Sequence, residues 1–308
     1  MAGIGKKIQM FLWYMNFLRQ KKYKQPYINQ YSGKCSVLAN GPSLKDALAK
    51  YDAGEVEITN DSVMVNLAAL DEHFWKIKPK HMCFSDILFC QDYEPRKEQV
   101  RKQFDMFNER VDWDVNFYLC YTSHKDVERF ISYSKITNPK IHFMPMNENY
   151  VDKWPIKYWK RMLDSGYFMP HKGNVANVAM HVALLCGYNE IEVYGIDHDR
   201  FLHFYMTDSN QLHIVEQHFY DKTKEQTMTP ATNAYSGNTR VSEVIEAQCF
   251  QFRSHEIHAW WAKQKGVHIL NCTPNSMVDC YDRLGRDGKV HPCIYDADHL
   301  VYGWEAYY

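Results

Sequence analysis

The residues with the most chemical potential lie where short apolar runs give way to polar ones. Residues 34–39 form such a run and pass directly into Asn40-Gly41-Pro42-Ser43. Gly41 allows close backbone approach, Pro42 suits the first turn of a helix, and a helix N-terminus offers free N–H groups to an anion. The tetrad therefore suits a cradle for a nucleotide or its phosphate, and equally an ordinary strand-to-helix turn capped by Ser43. Four later runs end in the same way: 62–66 at Asn66, 81–86 at Ser85-Asp86, 190–197 at Asp197-His198, and 267–270 before Asn271-Cys272-Thr273-Pro274-Asn275-Ser276. Asp197 and Asp199 are spaced like a carboxylate pair that chelates Mg²⁺ or Mn²⁺ between phosphates, with His198 and His203 beside them. The Gly-Lys-Ser/Thr ending of a phosphate-binding P-loop is missing, and so is the Gly-x-Gly-x-x-Gly dinucleotide fingerprint. Kinase and dehydrogenase chemistry lose ground accordingly.

Alternation of these runs with helical stretches predicts the scaffold. Helices are expected over residues 44–51, 94–110, 174–186 (stopped by Gly187) and 241–265 (stopped by Gly266), and further strands over 116–121 and 140–144. Strands alternating with helices imply βαβ units and an α/β fold with a mainly parallel sheet. In such a sheet ligands bind beyond the carboxyl ends of the strands, where Asn40, Asn66, Ser85, Asp86, Asp197 and His198 would gather. The 308 residues suffice for one large domain, and 45% apolar with 24% charged residues is ordinary globular composition. A formal net charge of −1 provides no global field for nucleic acid, so no nucleic-acid partner is expected. Nine cysteines without a C-x-x-C pair suggest reduced thiols rather than a disulfide framework or zinc knuckle.

The N-terminus is amphipathic. Ile4, Ile8, Phe11, Leu12, Met15 and Leu18 fall on one helical face, flanked by Lys6, Lys7, Arg19, Lys21, Lys22 and Lys24. A basic helix that also carries Trp13 and Tyr14 suits the headgroup layer of an anionic membrane, or else caps an apolar surface of the protein itself. No run of 18 apolar residues exists to span a bilayer. The expected layout is a membrane-associating arm over 1–30, a nucleotide-sugar-binding domain over 31–285 with a lid at about 199–240, and a tail over 286–308. The aromatic-basic stretch 153–161 suits an anionic glycan or phospholipid headgroup, but reads better as a helix with Trp and Tyr inward and Lys outward.

Three landmarks in order, Asn40-Gly41-Pro42-Ser43-Leu44-Lys45, Gly187-Tyr188-Asn189-Glu190-Ile191 with Gly195-Ile196-Asp197, and Cys272-Thr273-Pro274-Asn275-Ser276, resemble the bacterial sialyltransferases of glycosyltransferase family 42. They are similar too to the 6-hydroxymethylpterin diphosphokinase-like domain of motility-associated sugar transferases. The resemblance implies a Rossmann-like domain with a lid, a CMP-activated donor, and metal-independent transfer with inversion onto a hydroxyl of a bacterial surface glycan. By position it implies donor contacts from Asn40, Gly41, Ser43, Asn66, Ser85, Asp86, Gly173 and Asn174, with Thr273, Asn275 and Ser276 closing over the nucleotide. It makes His218 the best match for the general base, with His198, His203 and His213 as rivals and Asp197 orienting the site. The tyrosines that stabilise the leaving phosphate in that family do not line up here, and His198, Arg200, Tyr205 or Tyr220 would have to stand in. The expected partners are a nucleotide-sugar donor, a glycan or glycolipid acceptor and, through the N-terminal helix, the cytoplasmic face of the inner membrane; assembly into a homo-oligomer is left open. A Mg²⁺-dependent pterin-type pyrophosphokinase and a non-catalytic nucleotide- or glycan-binding partner are the alternatives.

Overall fold

The computed structural model describes residues 2–19, 22–94, 96–215, 219, 228–230, 232–233 and 237–302. Its strands are β1 (Lys34–Leu38), β2 (Ser62–Val65), β3 (His81–Phe84), β4 (Val115–Leu119), β5 (Ile141–Pro145), β6 (Glu190–Tyr194), β7 (Phe204–Met206), β8 (Leu212–Val215), β9 (Met228–Pro230), β10 (Thr232–Asn233), β11 (Gly237–Asn238), β12 (His268–Asn271), β13 (Asp282–Leu284) and β14 (Val290–His291). The helices are α1 (Ala2–Arg19), α2 (Leu44–Asp52), α3 (Glu72–Ile77), α4 (Lys97–Arg110), α5 (His124–Ser134), α6 (Trp159–Asp164), α7 (Val175–Cys186), α8 (Val241–Lys265) and α9 (Ala297–Tyr302).

Nine strands form one sheet in the order β14-β13-β12-β6-β1-β2-β3-β4-β5. Every pairing in it is parallel except that of β13 with β14, so the fold is the expected α/β type. Helices cover both faces, which is why β1 to β4 read as near-continuous apolar runs. Alternate residues feed opposite cores: Cys35, Val37, Val63 and Val65 pack with α7 and α8, whereas Leu38, Met64, Met82 and Phe84 pack with α2 to α5. Helix α7, from Ala176 to Cys186, is buried on all sides between the sheet and α8. All nine cysteines are free thiols, and six of them are buried.

Chain order sets where the strand order reverses. From β1 the chain steps outward to β5 at one edge, then α7 carries it back so that β6 lies on the other side of β1. The carboxyl ends of β1 and β6 therefore mark the topological switch point, the usual binding place of open α/β sheets.

Two expectations about the periphery are refined. Helix α1 forms, but it rests on the body through Trp13 against Trp154 and Phe17 against Phe168, rather than through the predicted stripe. Ile8, Phe11, Leu12 and Leu18 of that stripe are all at least half exposed. Residues 286–302 add β14 to the sheet edge and lay α9 along α8, with Val301 in the core and Lys263 bonding Asp296 and Asp298. Between β6 and α8, β7, β8 and β9 form a small antiparallel sheet. No described helix is long and apolar enough to cross a membrane.

Gly187 and Gly266 both end their helices in the left-handed region, but with different surroundings. A Cβ at Gly187 would sit 2.7 Å from Asn29 Cα and 2.8 Å from the Tyr31 carbonyl, whereas one at Gly266 would meet nothing within 4 Å. Urea unfolding should show Gly266→Ala costing about 1 kcal/mol, for backbone conformation alone. Gly187→Ala should cost roughly 2–4 kcal/mol, because overlap with fixed backbone is added.

Candidate functional site

The seam between β1 and β6 stays tight past the ends of both strands. The Gly41 amide donates to the Gly195 carbonyl at 3.0 Å, and Ala39 to Tyr194 at 2.9 Å. A Cβ on Gly41 would fall 1.8 Å from Asp197 Oδ2 and 2.5 Å from the Gly195 oxygen, so only glycine fits. Ser43 stands at the start of α2 without capping it. Its hydroxyl instead donates to Asp197 Oδ2 at 2.8 Å, across the seam, in place of the simple cap that the sequence allowed. Burial raises the Asp197 carboxyl above the usual range; the Ser43 hydrogen bond opposes this and the Asp199 charge adds to it.

Behind Asp197 lies the loop after β12. Ser276 Oγ donates to the Ile196 carbonyl at 2.6 Å, the Ile196 amide donates to Thr273 Oγ1 at 3.2 Å, and Met277 N donates to the Asp197 carbonyl at 2.9 Å. Thr273 and Ser276 are thus buried and engaged with backbone, bracing the end of β6. Asn275 is exposed and accepts from Arg286. Thr273 and Ser276 thus come near the site as a brace, with their hydroxyls given to backbone, while Asn275 lies outside that brace.

On the next strands, Asn66 Nδ2 donates to Asp86 Oδ2, and Tyr121 OH donates to the Asp86 carbonyl. Ser85 is half-buried beside them. Asn40 ends β1 between this pair and Asp197. Its Oδ1 and that of Asn66 are buried acceptors with no hydrogen-bond partner. Such an orphaned acceptor costs about 1–3 kcal/mol unless a ligand or water supplies a donor.

The third group precedes α7. Asn174 caps α7, in a reciprocal box with Asn177, and turns its amide nitrogen to His198 Nε2 at 3.4 Å. Gly173 lies against α8, where a Cβ would meet Gln251 Cα at 2.5 Å. Lys172 forms a 2.7 Å ion pair with Glu148, which also accepts from Thr122 and Tyr150. Burial raises the Glu148 carboxyl, against the pull of Lys172. His171 stacks on Phe250 at 4.3 Å, and a cleft lined by His171, Lys172, Gly173, Glu243, Glu246, Ala247 and Phe250 opens there.

Sequence reasoning placed Lys172 in the 171–174 loop near the donor but missed its partner Glu148, and missed His255 and Tyr281. His255 Nε2 lies 3.0 Å from His198 Nε2, and its Nδ1 lies 2.9 Å from Tyr281 OH. The pattern Ser254-His255-Glu256-Ile257-His258, just before the apolar Ala259-Trp260-Trp261-Ala262, was the available signal; Tyr281 had none. His218 and Tyr220, the expected base and one substitute phosphate partner, lie outside the described residues. The rivals His203 and His213 are within reach of Asp199 and Gln211 respectively. Asp197 faces Ser43 and Asp199 faces His203, and among the described residues no three His, Cys, Asp or Glu side chains gather as a metal-holding group.

No family model and no curated protein matches this sequence. The fold is that of an α/β protein with a mostly parallel sheet, and the candidate site lies at the switch point of its strand order. Among solved structures, the chain is similar to one described as the structure of MAf glycosyltransferase from Magnetospirillum magneticum AMB-1. The TM-score is 0.46 at 10% identity, over 94% of this chain and 39% of that one, so this chain spans about two fifths of that structure's length.

The buried histidines give the protein a pH signature. Burial pushes His198 down to about 4, against Asp199, and holds His81 and His181 at about 3 and His255 and His258 well below 6.5. The folded state thus binds fewer protons than the unfolded one below pH 6.5. The stability these groups contribute is complete above 6.5 and declines as pH falls toward their folded values. Asp197 and Glu148, with raised values, act with the opposite sign at acid pH. Urea midpoints for the wild type and His258→Leu should therefore diverge below pH 6.5, the variant losing up to about 1.4 kcal/mol less per pH unit.

Proposed function

We propose that the chain is a glycosyltransferase that binds a nucleotide-activated sugar at the β1–β6 crevice. The observation carrying this reading is the pair of orphaned buried acceptors, Asn40 Oδ1 and Asn66 Oδ1, on adjacent strands at the carboxyl rim. Asn66 Nδ2 is already committed to the Asp86 carboxylate, so Oδ1 is the atom left over. A bare phosphate brings only acceptors and would leave both oxygens unsatisfied. A nucleobase amino group, ribose or sugar hydroxyls bring the donors they lack. Gly41 and Ser43 would lie under the phosphate, and Asp197 would orient the site. Following the sialyltransferase resemblance, the donor is CMP-activated and sialic-acid-like. His218 takes the proton of the attacking acceptor hydroxyl, and transfer to a bacterial surface glycan inverts the anomeric centre. No resident metal is required in this reading, and a Mg²⁺ or Mn²⁺ ion at Asp197 and Asp199 is its alternative.

Thermal melts of the full chain with CMP, UDP, GDP and ATP, each with and without EDTA, test this. Ligand at 100 times its Kd adds about 2.7 kcal/mol of stability. A shift with CMP that survives EDTA is expected, and Asn40→Ala should weaken it about tenfold, a difference of about 1.4 kcal/mol. A shift with ATP alone that EDTA abolishes would replace the transferase with a pyrophosphokinase. Binding without turnover on any glycan, unaffected by His218→Ala, would point to a non-catalytic binding partner.

The exposed face of α1 supports a place for the reaction. Ile8, Phe11, Leu12 and Leu18 stand clear of the body, in a segment carrying Lys6, Lys7, Arg19, Lys22 and Lys24. Apolar side chains among cations suit the headgroup layer of an anionic bilayer, where lipid-linked acceptors would be presented on the cytoplasmic side. The protein should co-sediment with phosphatidylglycerol vesicles, weakly with phosphatidylcholine, and less at high salt. Phe11→Asp with Leu12→Asp should abolish binding while leaving the melting temperature unchanged. Equal binding to both lipids would remove the electrostatic half of the argument.

A further inference from the structure

We infer that His198 serves the crevice as a hydrogen-bond donor through Nδ1–H toward an anionic ligand oxygen, its tautomer fixed by the cap of α7 and by a relay from Tyr281 through His255. The ligand half of this inference rests on the nucleotide-binding reading above; the relay half does not.

The tautomers follow from the heavy-atom network by elimination. The Asn177 amide donates to Asn174 Oδ1 at 3.1 Å, so the oxygen of Asn174 faces the helix and its NH₂ faces away. That NH₂ points at His198 Nε2, at 3.4 Å. A donor there makes His198 Nε2 an acceptor, and the ring proton must sit on Nδ1. His255 Nε2, 3.0 Å from the same nitrogen, must then be protonated, since two lone pairs cannot face each other at that distance. His255 Nδ1 is left as an acceptor, and Tyr281, 2.9 Å away, must donate its O–H to it. Each step leaves one choice: Tyr281 O–H to His255, His255 N–H to His198.

The consequence lies at the end of the chain of bonds. The Nε2 lone pair of His198 is held by two interior donors, so this imidazole has no basic nitrogen left to take a substrate proton. Burial keeps the ring neutral through the physiological range. Both hydrogen bonds of His198 among the described residues run to Nε2, which leaves Nδ1 without one, and His198 directly follows Asp197 in the turn after β6. A neutral N–H fixed beside the switch point suits an oxygen that gains charge, such as that of a phosphate or diphosphate leaving group. His198 is thus removed from the candidates for general base and placed among the anion donors, with Tyr281, His255 and Asn174 as positioning residues.

Long-range ¹H–¹⁵N spectra of the full chain with labelled histidine test the relay without any ligand, His198→Phe and His255→Gln providing assignments. His198 should carry its proton on Nδ1 and His255 on Nε2, with neither titrating between pH 5.5 and 8. Protonation of His198 on Nε2, or a midpoint near 6.5, would overturn the relay. Asn174→Asp still caps α7 but replaces the donor with a carboxylate oxygen. Both rings should then invert, and unchanged tautomers in a folded variant would count against the cap as their cause. The ligand half is read with inorganic pyrophosphate. It should move the His198 Nδ1–H resonance, and His198→Phe should lower its affinity about tenfold, the size expected of a hydrogen bond to a charged group. Pyrophosphate that leaves this resonance in place, or fails to bind, would overturn the donor assignment while leaving the relay standing.

Discussion

The candidate site is built on a contact between two glycines, which lets β1 and β6 run on side by side past the end of regular pairing. Gly41 bonds Gly195, and a side chain at either position would collide with the opposite backbone. A methyl on Gly41 would overlap the Asp197 carboxylate, and one on Gly195 would lie 2.9 Å from the Ala39 carbonyl. From this contact follow the span of Ser43 to Asp197, the turn that brings His198 toward Asn174, and the bracing of Ile196 by Thr273 and Ser276. Asn66 and His198 near this contact both adopt left-handed backbone, which asparagine and histidine enter more readily than most residues.

The second organising feature is a file of imidazoles between α7 and α8. His198, His255, His258 and His181 follow one another with ring centroids 4.9, 6.3 and 6.0 Å apart. The outer two members on the crevice side are tied by hydrogen bonds, whereas neither nitrogen of His258 has a partner. Polar rings placed so deep reduce stability compared with an apolar core. The hydrogen-bonded end has a rationale in fixing His198; for His258 we have no physical account.

Much of the scaffold could be read from the sequence because a parallel sheet covered on both faces writes its strands as apolar runs. The runs ending at Asn40, Asn66, Asp86 and Asp197 lie close to β1, β2, β3 and β6, and the helix stops at Gly187 and Gly266 coincide with the ends of α7 and α8. Helix α5, the edge strands β13 and β14, and α9 were not legible, since their signals are short and their partners distant in sequence. Polar residue type also misled locally. Thr273 and Ser276 look like ligand contacts by chemistry, yet burial gives their hydroxyls to the backbone. Ser43 looks like a cap and instead crosses to another strand. The Tyr281–His255–His198 series depends on three elements meeting, which spacing along the chain cannot reveal.

Strand order also sets a timetable for synthesis. Strands β1 to β5 neighbour one another in the order in which they are made, so the first half of the sheet can be laid down as it leaves the ribosome. The crevice cannot. Ser43 waits for Asp197, 154 residues further on, and β6 is itself flanked by β12 from near the end of the chain. Until those arrive, the inner edge of β1 stays open, with unpaired N–H and C=O groups that another strand could capture. The contact between β1 and β6 is thus assembled late, and a nascent chain stalled before residue 190 would have a finished flank and an open edge on β1.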